Sequence, residues 1–292
     1  MKNLYSIFIK IFILFFTTLI LIIYFMETNL LITNIIDILN KWLYKIVPSI
    51  IIMYTLSSLL LSSKTINIIL FIFKPLRKVI KFESNTAFNI FLISILIGNP
   101  ATVSLINDMD YDKNCISNKD KEVLVKCASF INPLFIFSFF NDYKNFLMIY
   151  LSHIIANVIL AIINTRNNTI NNSNNKNTKF NFITMINKLP FLLLLIALYM
   201  VISSIIIFSL QEIKINNLLL SLLEISVGSN IIIQNDYNIL YFVGLISFNG
   251  LCIHMQVATI LNDYQMYKSF FKARVFTSII SIIIYSVISS FF

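Results

Sequence analysis

Several stretches of about twenty residues contain almost no charged side chain, and this feature constrains the fold more than any other. A helix that crosses a bilayer needs roughly 20 mostly apolar residues. Residues 4–26 meet that length with Lys10 as the single interruption, and residues 275–292 meet it again. The whole chain is 58% hydrophobic and 12% charged, whereas a soluble domain is about 25% charged. The sequence therefore predicts an integral membrane protein.

The apolar segments indicate an all-α, polytopic transmembrane helical bundle of seven to nine spans, with interrupted or re-entrant helices. We expect residues 4–26 to be a retained first span, because they exceed the length of a signal-peptide core and no small-x-small cleavage site follows. Residues 27–45 are mixed in character and are predicted to precede the next span. The further apolar segments are residues 42–62, 87–106, 123–140, 146–163, 189–210, 218–227 and 239–260.

One polar segment divides the chain into two membrane halves. Residues 164–181 are rich in Asn, Ser, Thr and Lys and hold too little apolar surface to build a core. The predicted organisation is thus an N-terminal membrane half (1–163), the linker and a C-terminal membrane half (182–292). The basic cluster at residues 74–81 and the basic linker both favour the cytoplasmic side. A simple count of alternating spans does not place both there.

The remaining composition excludes several functions. The net charge of +9 comes from basic residues in short loops, as the positive-inside rule expects, so no nucleic-acid partner is predicted. The three cysteines match no metal pattern, and we expect Cys127 and Cys252 to be buried small hydrophobes. Residues 108–112 carry three aspartates and lack the glycine and glutamate of a calcium loop, so a solvated loop is expected. Without catalytic or cofactor motifs, no enzyme, cofactor or metal is predicted.

Three apolar segments are interrupted by residues that break helices. Gly98-Asn99-Pro100 and Asn132-Pro133 lie in the first half, and Asn249-Gly250 lies in the second. Proline removes a backbone N–H donor, and hydrocarbon cannot supply a partner for the groups that a break releases. Such breaks are tolerated where protein or water surrounds them, and transporters use them to bind solutes. The sequence therefore predicts a binding site at these breaks.

Polar side chains in apolar segments extend this prediction. Glu224 is an ionisable group at apparent membrane depth, with the membrane interface as the alternative location. His254 and Gln256 follow the third break, whereas His153 is expected to bond a neighbouring helix. The predicted substrate-binding residues are Gly98, Asn99, Pro100, Asn132, Pro133, Glu224, Asn249, Gly250, His254 and Gln256.

A weak internal similarity accompanies the breaks. Residues 102–108 (TVSLIND) and 257–263 (VATILND) both follow a glycine-containing break and both end in Asn-Asp. This similarity favours two related repeats that meet at a central site.

These interrupted segments resemble the YlbJ family of sporulation integral membrane proteins, in the nucleoside-recognition or Gate-domain group. The most specific matches are the Asn-Pro-Leu-Phe-Ile stretch at residues 132–136 and the motif FNGLCIHMQ at residues 248–256. Gly98-Asn99-Pro100-Ala101, Glu122, His153 and Leu222-Leu223-Glu224-Ile225 match in order along the chain. The chain departs from the family at Asn99, where the family has an aromatic residue, and at Asn249, where it has a glycine.

The resemblance implies a function in endospore formation. It implies a transporter of dipicolinate, a small planar dianion, across the outer forespore membrane, with the lipid bilayer as its surroundings. Asn amides and free N–H groups at half-helix starts would then bind the two carboxylates. A nucleoside or other small-solute carrier and a non-transporting scaffold for spore assembly stay open as alternatives, as does assembly into a homo-oligomer.

Overall fold

The computed structural model describes residues 28–62, 71–113, 116–140, 142–168, 182–212 and 214–291, and these residues form helices without a strand. Five helices in this part of the chain are long and apolar enough to cross a membrane. They are Thr28–Ser62, Tyr143–Thr165, Met185–Gln211, Ile239–Leu261 and Tyr264–Phe291. The all-α membrane fold is thus confirmed. The predicted first span at residues 4–26 lies outside the described residues.

The first described span is longer than the sequence indicated. Helix α1 (Thr28–Lys41) continues through a π-helical turn (Trp42–Ile46) into α2 (Val47–Ser62). The apolar run at residues 42–62 is therefore the C-terminal part of a longer helical segment that includes most of the mixed residues 27–45. Pro48 has no N–H to donate and would clash with the carbonyl four residues earlier. A π turn just before it widens the helix without ending it.

The other helices alternate between full spans and short, interrupted pieces. The first half continues with α3 (Lys74–Val79), α4 (Asn85–Ile97), α5 (Ala101–Lys113), α6 (Asn118–Cys127), α7 (Pro133–Phe137) and α8 (Tyr143–Thr165). The second half contains α9 (Phe182–Glu212), α10 (Asn217–Ser221), α11 (Ile225–Gln234), α12 (Ile239–Phe248), α13 (Gly250–Leu261) and α14 (Tyr264–Phe291).

The three predicted breaks are confirmed, and the structure adds a fourth. Residues 98–100 separate α4 from α5, residues 128–132 separate α6 from α7, and Asn249 separates α12 from α13. The fourth break, at residues 222–224, separates α10 from α11. The predicted loop at residues 108–112 is wrong, because α5 continues to Lys113. No glycine or proline stands between Ala101 and Lys113 to end the helix.

The two halves share one core. Helix α8 of the first half packs along α14 of the second, and α1 packs along α9. The indole N–H of Trp42 donates to Leu193 O (3.1 Å), and the Tyr54 hydroxyl donates to Met185 O (3.2 Å). The predicted halves therefore interlock and do not form separate bodies.

Basic segments that are distant in sequence meet at one end of the bundle. The Lys81 N–H donates to Thr165 Oγ1 (3.1 Å), at the end of α8 where the polar linker begins. Nearby, the Asp120 carboxylate accepts from Glu83 N and Ser84 N, both at 2.9 Å. The basic cluster and the linker start thus lie on the same side, as the charge pattern required. The count of alternating spans failed because it treated interrupted helices as full crossings.

Candidate functional site

A cavity of about 60 Å³ lies where the interrupted segments meet. Its walls include Ile50, Met200 and Cys252, which stand near the middle of three different candidate spans. The cavity is therefore at membrane depth. Its walls are mostly apolar, and the polar side chains that line it are Ser49, Asn99, Asn132, Glu224 and Gln256. The predicted site residues on its wall are Asn99, Pro100, Asn132, Glu224 and Gln256.

The two breaks of the first half bind each other directly. The Asn99 N–H donates to Phe130 O (2.8 Å), which joins the α4–α5 break to the extended segment before α7. Gly98 makes this approach feasible. A Cβ atom there would lie 2.5 Å from Asn132 N, and its φ of +74° with ψ of 168° is a conformation that glycine alone adopts readily.

Asn132 fixes the start of α7 and joins it to α2. Its Oδ1 accepts from Leu134 N (2.9 Å), the usual hydrogen bond of an N-cap. Its Nδ2 donates to Ser49 O (3.1 Å), in the turn that follows the π-helical segment. Pro133 is the first residue of α7, where its missing N–H has no cost, and it does not line the cavity.

The two breaks of the second half are also joined to each other by hydrogen bonds. The N–H groups of Leu251 and Cys252 donate to Leu222 O and Leu223 O, both at 2.8 Å. The α12–α13 break is thereby joined to the α10–α11 break. Glu224 caps α11, because its Oε2 accepts from Val227 N (2.7 Å) and from Ser226 Oγ (2.5 Å). Sequence reasoning identified Glu224 and missed the break around it, since no glycine or proline marks residues 222–224.

Ser129 connects the breaks of the two halves. Its Oγ accepts from Asn99 Nδ2, and Asn249 Nδ2 lies 3.5 Å from the same oxygen. Asn249 has a left-handed backbone with φ of +76° and is fully buried. It therefore supports the site from behind Asn99 and does not line the cavity. Gly250 also stands behind the wall, against Ile225.

A buried arginine holds Ser129 in place, and sequence reasoning missed it. Arg274 is 0% exposed. Its Nη1 donates to Ser129 O (3.0 Å), and its Nη2 donates to Lys126 O (2.5 Å) and Asn157 Oδ1 (3.0 Å). The apolar run at residues 275–292 begins immediately after Arg274, but α14 begins at Tyr264 and carries Arg274 into the core.

Neither histidine lines the cavity, and each contacts neighbouring parts of the protein. His254 Nε2 lies 2.9 Å from Phe248 O, and the ring packs among the aromatic rings of Phe248, Phe270 and Phe271. It does not line the cavity. His153 Nδ1 lies 3.0 Å from Ser247 Oγ on α12, so the predicted bond to a neighbouring helix is confirmed.

Several N–H groups at the half-helix starts have partners within the protein. Glu224 accepts from the Val227 N–H at the start of α11, and Asn132 accepts from the Leu134 N–H at the start of α7. The N–H groups of Leu251 and Cys252 in α13 donate to carbonyl oxygens of the fourth break. In this conformation these N–H groups are occupied, and the binding of carboxylates by free N–H groups at half-helix starts stays a prediction.

The unsatisfied polar atoms at the cavity are acceptors. Asn99 Oδ1 and Gln256 Oε1 are buried and have no hydrogen-bond partner. Gln256 is 1% exposed, and its Nε2 contacts Cys252 Sγ at 3.3 Å. Within the described part of the chain, no lysine, arginine or histidine lines this cavity. Its polar chemistry therefore suits a ligand that donates hydrogen bonds or carries positive charge.

Comparisons with protein families, with characterised proteins and with solved structures find no match for this chain.

Proposed function

We propose that this protein is a secondary carrier that moves a small organic solute across a membrane through the central cavity. One observation carries the proposal. The interrupted segments of both halves converge at membrane depth on a cavity lined by two Asn side chains, Gln256 and Glu224. Non-helical backbone and an ionisable side chain are costly in lipid, and they occur together where a membrane protein binds what it transports.

We propose dipicolinate as the solute from the resemblance to YlbJ proteins, and two further cavities support an anionic solute. A cavity of about 10 Å³ shares Ile46 and Phe135 with the central cavity and is lined by Lys41 and Lys45. A third cavity of about 140 Å³ shares Lys41 and reaches Gln211, near the end of α9. Two lysines and one aspartate, Asp37, line this path, and the excess positive charge would raise the local concentration of an anion.

The central cavity is narrow in this conformation. Its volume of about 60 Å³ holds on the order of four to six water molecules, at roughly 10–15 Å³ each. A planar dicarboxylate requires a wider state, so transport requires the walls to separate. The breaks supply movable joints for such a change, because helices end at residues 98–100, 222–224 and 249.

We extend the proposal to the architecture and the membrane. The hydrogen-bonded pairs of breaks, one pair in each half, support two related repeats. The short apolar helices Asn85–Ile97 and Ile225–Gln234 would add partial crossings to the five long helices, which brings the total toward the expected seven to nine. The outer forespore membrane is proposed from the resemblance alone. A fluorescent fusion followed through sporulation tests that location.

Uptake into proteoliposomes tests the carrier function. We expect radiolabelled dipicolinate to accumulate in vesicles that contain the protein, and unlabelled dipicolinate to compete. Gln256→Leu should reduce uptake by about tenfold or more, because it removes an acceptor from the wall. Gln265→Leu, on an exposed side chain, is the matched control and should retain uptake. Equal uptake by empty vesicles and by vesicles with the protein would refute the proposal.

A carrier of a neutral solute, such as a nucleoside, is the second candidate. It is favoured by the unfilled acceptors Asn99 Oδ1 and Gln256 Oε1, which suit hydroxyl and N–H donors. Competition decides between the two. Inhibition of uptake by uridine and not by dipicolinate assigns the neutral solute. A scaffold without transport predicts no uptake of either and tolerance of substitutions at Glu224 and Gln256.

A further inference from the structure

The Glu224 carboxylate lies in the protein without a basic partner. It is 1% exposed, and within the described residues no lysine or arginine forms an ion pair with it. Its Oε2 accepts from Val227 N and Ser226 Oγ, the Ser226 N–H also bonds the carboxylate, and Lys41 acts on it electrostatically without forming an ion pair. A buried carboxylate requires compensating positive charge or a proton, and these hydrogen bonds with a lysine outside contact distance compensate it only in part.

A second group beside Glu224 also lacks a partner. Cys252 donates its N–H to Leu223 O (2.8 Å), which brings the first turn of α13 against the residue before Glu224. Gln256 stands one helical turn after Cys252, and its Oε1 is buried and unpartnered on the same cavity wall. A carboxylate and an amide oxygen on one apolar wall form an oxygen-only set of acceptors, which suits a small hard cation.

Among the charged and titratable groups around Glu224, Lys41 acts on the carboxylate electrostatically, and none forms an ion pair with it within the described residues. Cys252 faces it from α13, and a buried thiol is neutral. Asp37 and Lys41 of α1 and Lys45 of the π-helical turn line the two outer cavities and do not line the central one.

We infer that Glu224 and Gln256 form a binding site for a univalent cation, a Na⁺ ion or a proton, that enters the cavity together with the solute. This inference rests on the proposed carrier function and deepens it. It also explains how an anion binds a wall that presents acceptors. A bound cation neutralises the charge of Glu224. The Na⁺ ion itself, or the O–H group of the protonated carboxyl, can then contact the solute. Cation and solute therefore each strengthen the binding of the other.

Uptake under imposed gradients tests the inference. An inward Na⁺ gradient at symmetric pH and an inward proton gradient without Na⁺ are applied separately to proteoliposomes with labelled dipicolinate or uridine. We expect one gradient to raise initial uptake by about tenfold or more over the gradient-free rate. Glu224→Gln should abolish the stimulation, because it removes the charge and keeps the shape. Asp236→Asn, on an exposed acid of the same half, should remain stimulated.

A binding measurement separates this inference from the proposed function. The thermal midpoint of the purified protein is measured in Na⁺ and in choline, with Gln256→Leu and Glu224→Gln as variants. One outcome supports the cation site and refutes the carrier. In that outcome uptake is absent, Na⁺ raises the midpoint of the wild type, and both variants lose this rise. Uptake that neither gradient stimulates, or stimulation that persists in Glu224→Gln, overturns the inference. The same midpoints are also measured at a lowered pH without Na⁺. Absence of uptake together with no difference between the wild type and Glu224→Gln in the response of the midpoint to Na⁺ or to pH also overturns the inference.

Discussion

The contact between the two breaks of the first half depends on the absence of a side chain at Gly98, so Gly98→Ala is the most informative single change. An added Cβ would lie 2.5 Å from Asn132 N, 3.1 Å from Ile131 C and 3.2 Å from Asn132 Cα. All three are backbone atoms, so no side-chain rotation relieves the clash. The φ of +74° with ψ of 168° adds about 1–3 kcal/mol of strain for a residue with a Cβ, and overpacking adds about 1–3 kcal/mol.

The two costs together predict a loss of about 2–6 kcal/mol of stability, or a displacement of residues 128–132 that relieves it. Gly244→Ala is the matched control. Its Cβ would meet Ile282 Cδ1 at 3.1 Å, the mobile end of a side chain, and the helix gains up to about 1 kcal/mol from alanine. In detergent, Gly98→Ala should lower the thermal midpoint by roughly 4 °C or more and abolish uptake. A Gly98→Ala protein with wild-type midpoint and wild-type uptake would refute the described contact between the breaks.

Three further changes test other parts of the structure. Arg274→Met should destabilise the protein by about 3 kcal/mol or more, because it leaves Ser129 O, Lys126 O and Asn157 Oδ1 without a donor, at about 1–3 kcal/mol for each buried acceptor. Lys272→Met, on an exposed side chain, should change the midpoint little, and equal midpoints would contradict the role given to Arg274. Asn132→Ala removes an N-cap at the cavity and Asn216→Ala removes one at an exposed helix start. Loss of the cap should cost about 1 kcal/mol in each variant. Asn132→Ala should cost a further ~1 kcal/mol or more, because it also leaves Ser49 O without its donor, and only Asn132→Ala should reduce uptake. The basic end of the bundle, which carries Lys78, should face the cytoplasm. In a Cys115→Ser background, an impermeant maleimide should therefore label Tyr143→Cys from outside the cell. It should label Lys78→Cys only in inverted vesicles. Labelling of Lys78→Cys from outside would reverse the orientation.

The sequence was most informative where a residue's chemistry forces a local outcome. Proline at position 100 or 133 cannot donate to a helix, and Gly98 admits a conformation that other residues avoid, so these breaks were predictable. The break at residues 222–224 was not predictable from residue type, because Leu222, Leu223 and Glu224 are all compatible with a helix. It forms because Leu222 O and Leu223 O accept from the first N–H groups of α13, a tertiary interaction.

Only the structure shows which predicted residues line the cavity and which support its wall from behind. Asn99 and Asn249 both stand in helix breaks, yet Asn99 lines the cavity and Asn249 supports it through Ser129. His254 is two residues from Gln256, and the helical twist directs it to an aromatic cluster and directs Gln256 to the cavity. Arg274 was overlooked because a charged residue before an apolar run usually marks the edge of a membrane span. The pattern does not show that the helix begins at Tyr264 and carries Arg274 into the core.

Equilibrium binding of labelled dipicolinate to a cavity-filling variant tests the central claim most directly. Ala101 lines the cavity, and Ala101→Leu adds three carbon atoms to its wall. Ala258→Leu makes the same change on α13, at a half-buried position that does not line the cavity. The account predicts that the wild type and Ala258→Leu bind with similar affinity, and that Ala101→Leu binds about tenfold or more weakly while keeping its thermal midpoint within a few degrees. Unchanged binding to a folded Ala101→Leu protein would contradict the assignment of this cavity as the solute site.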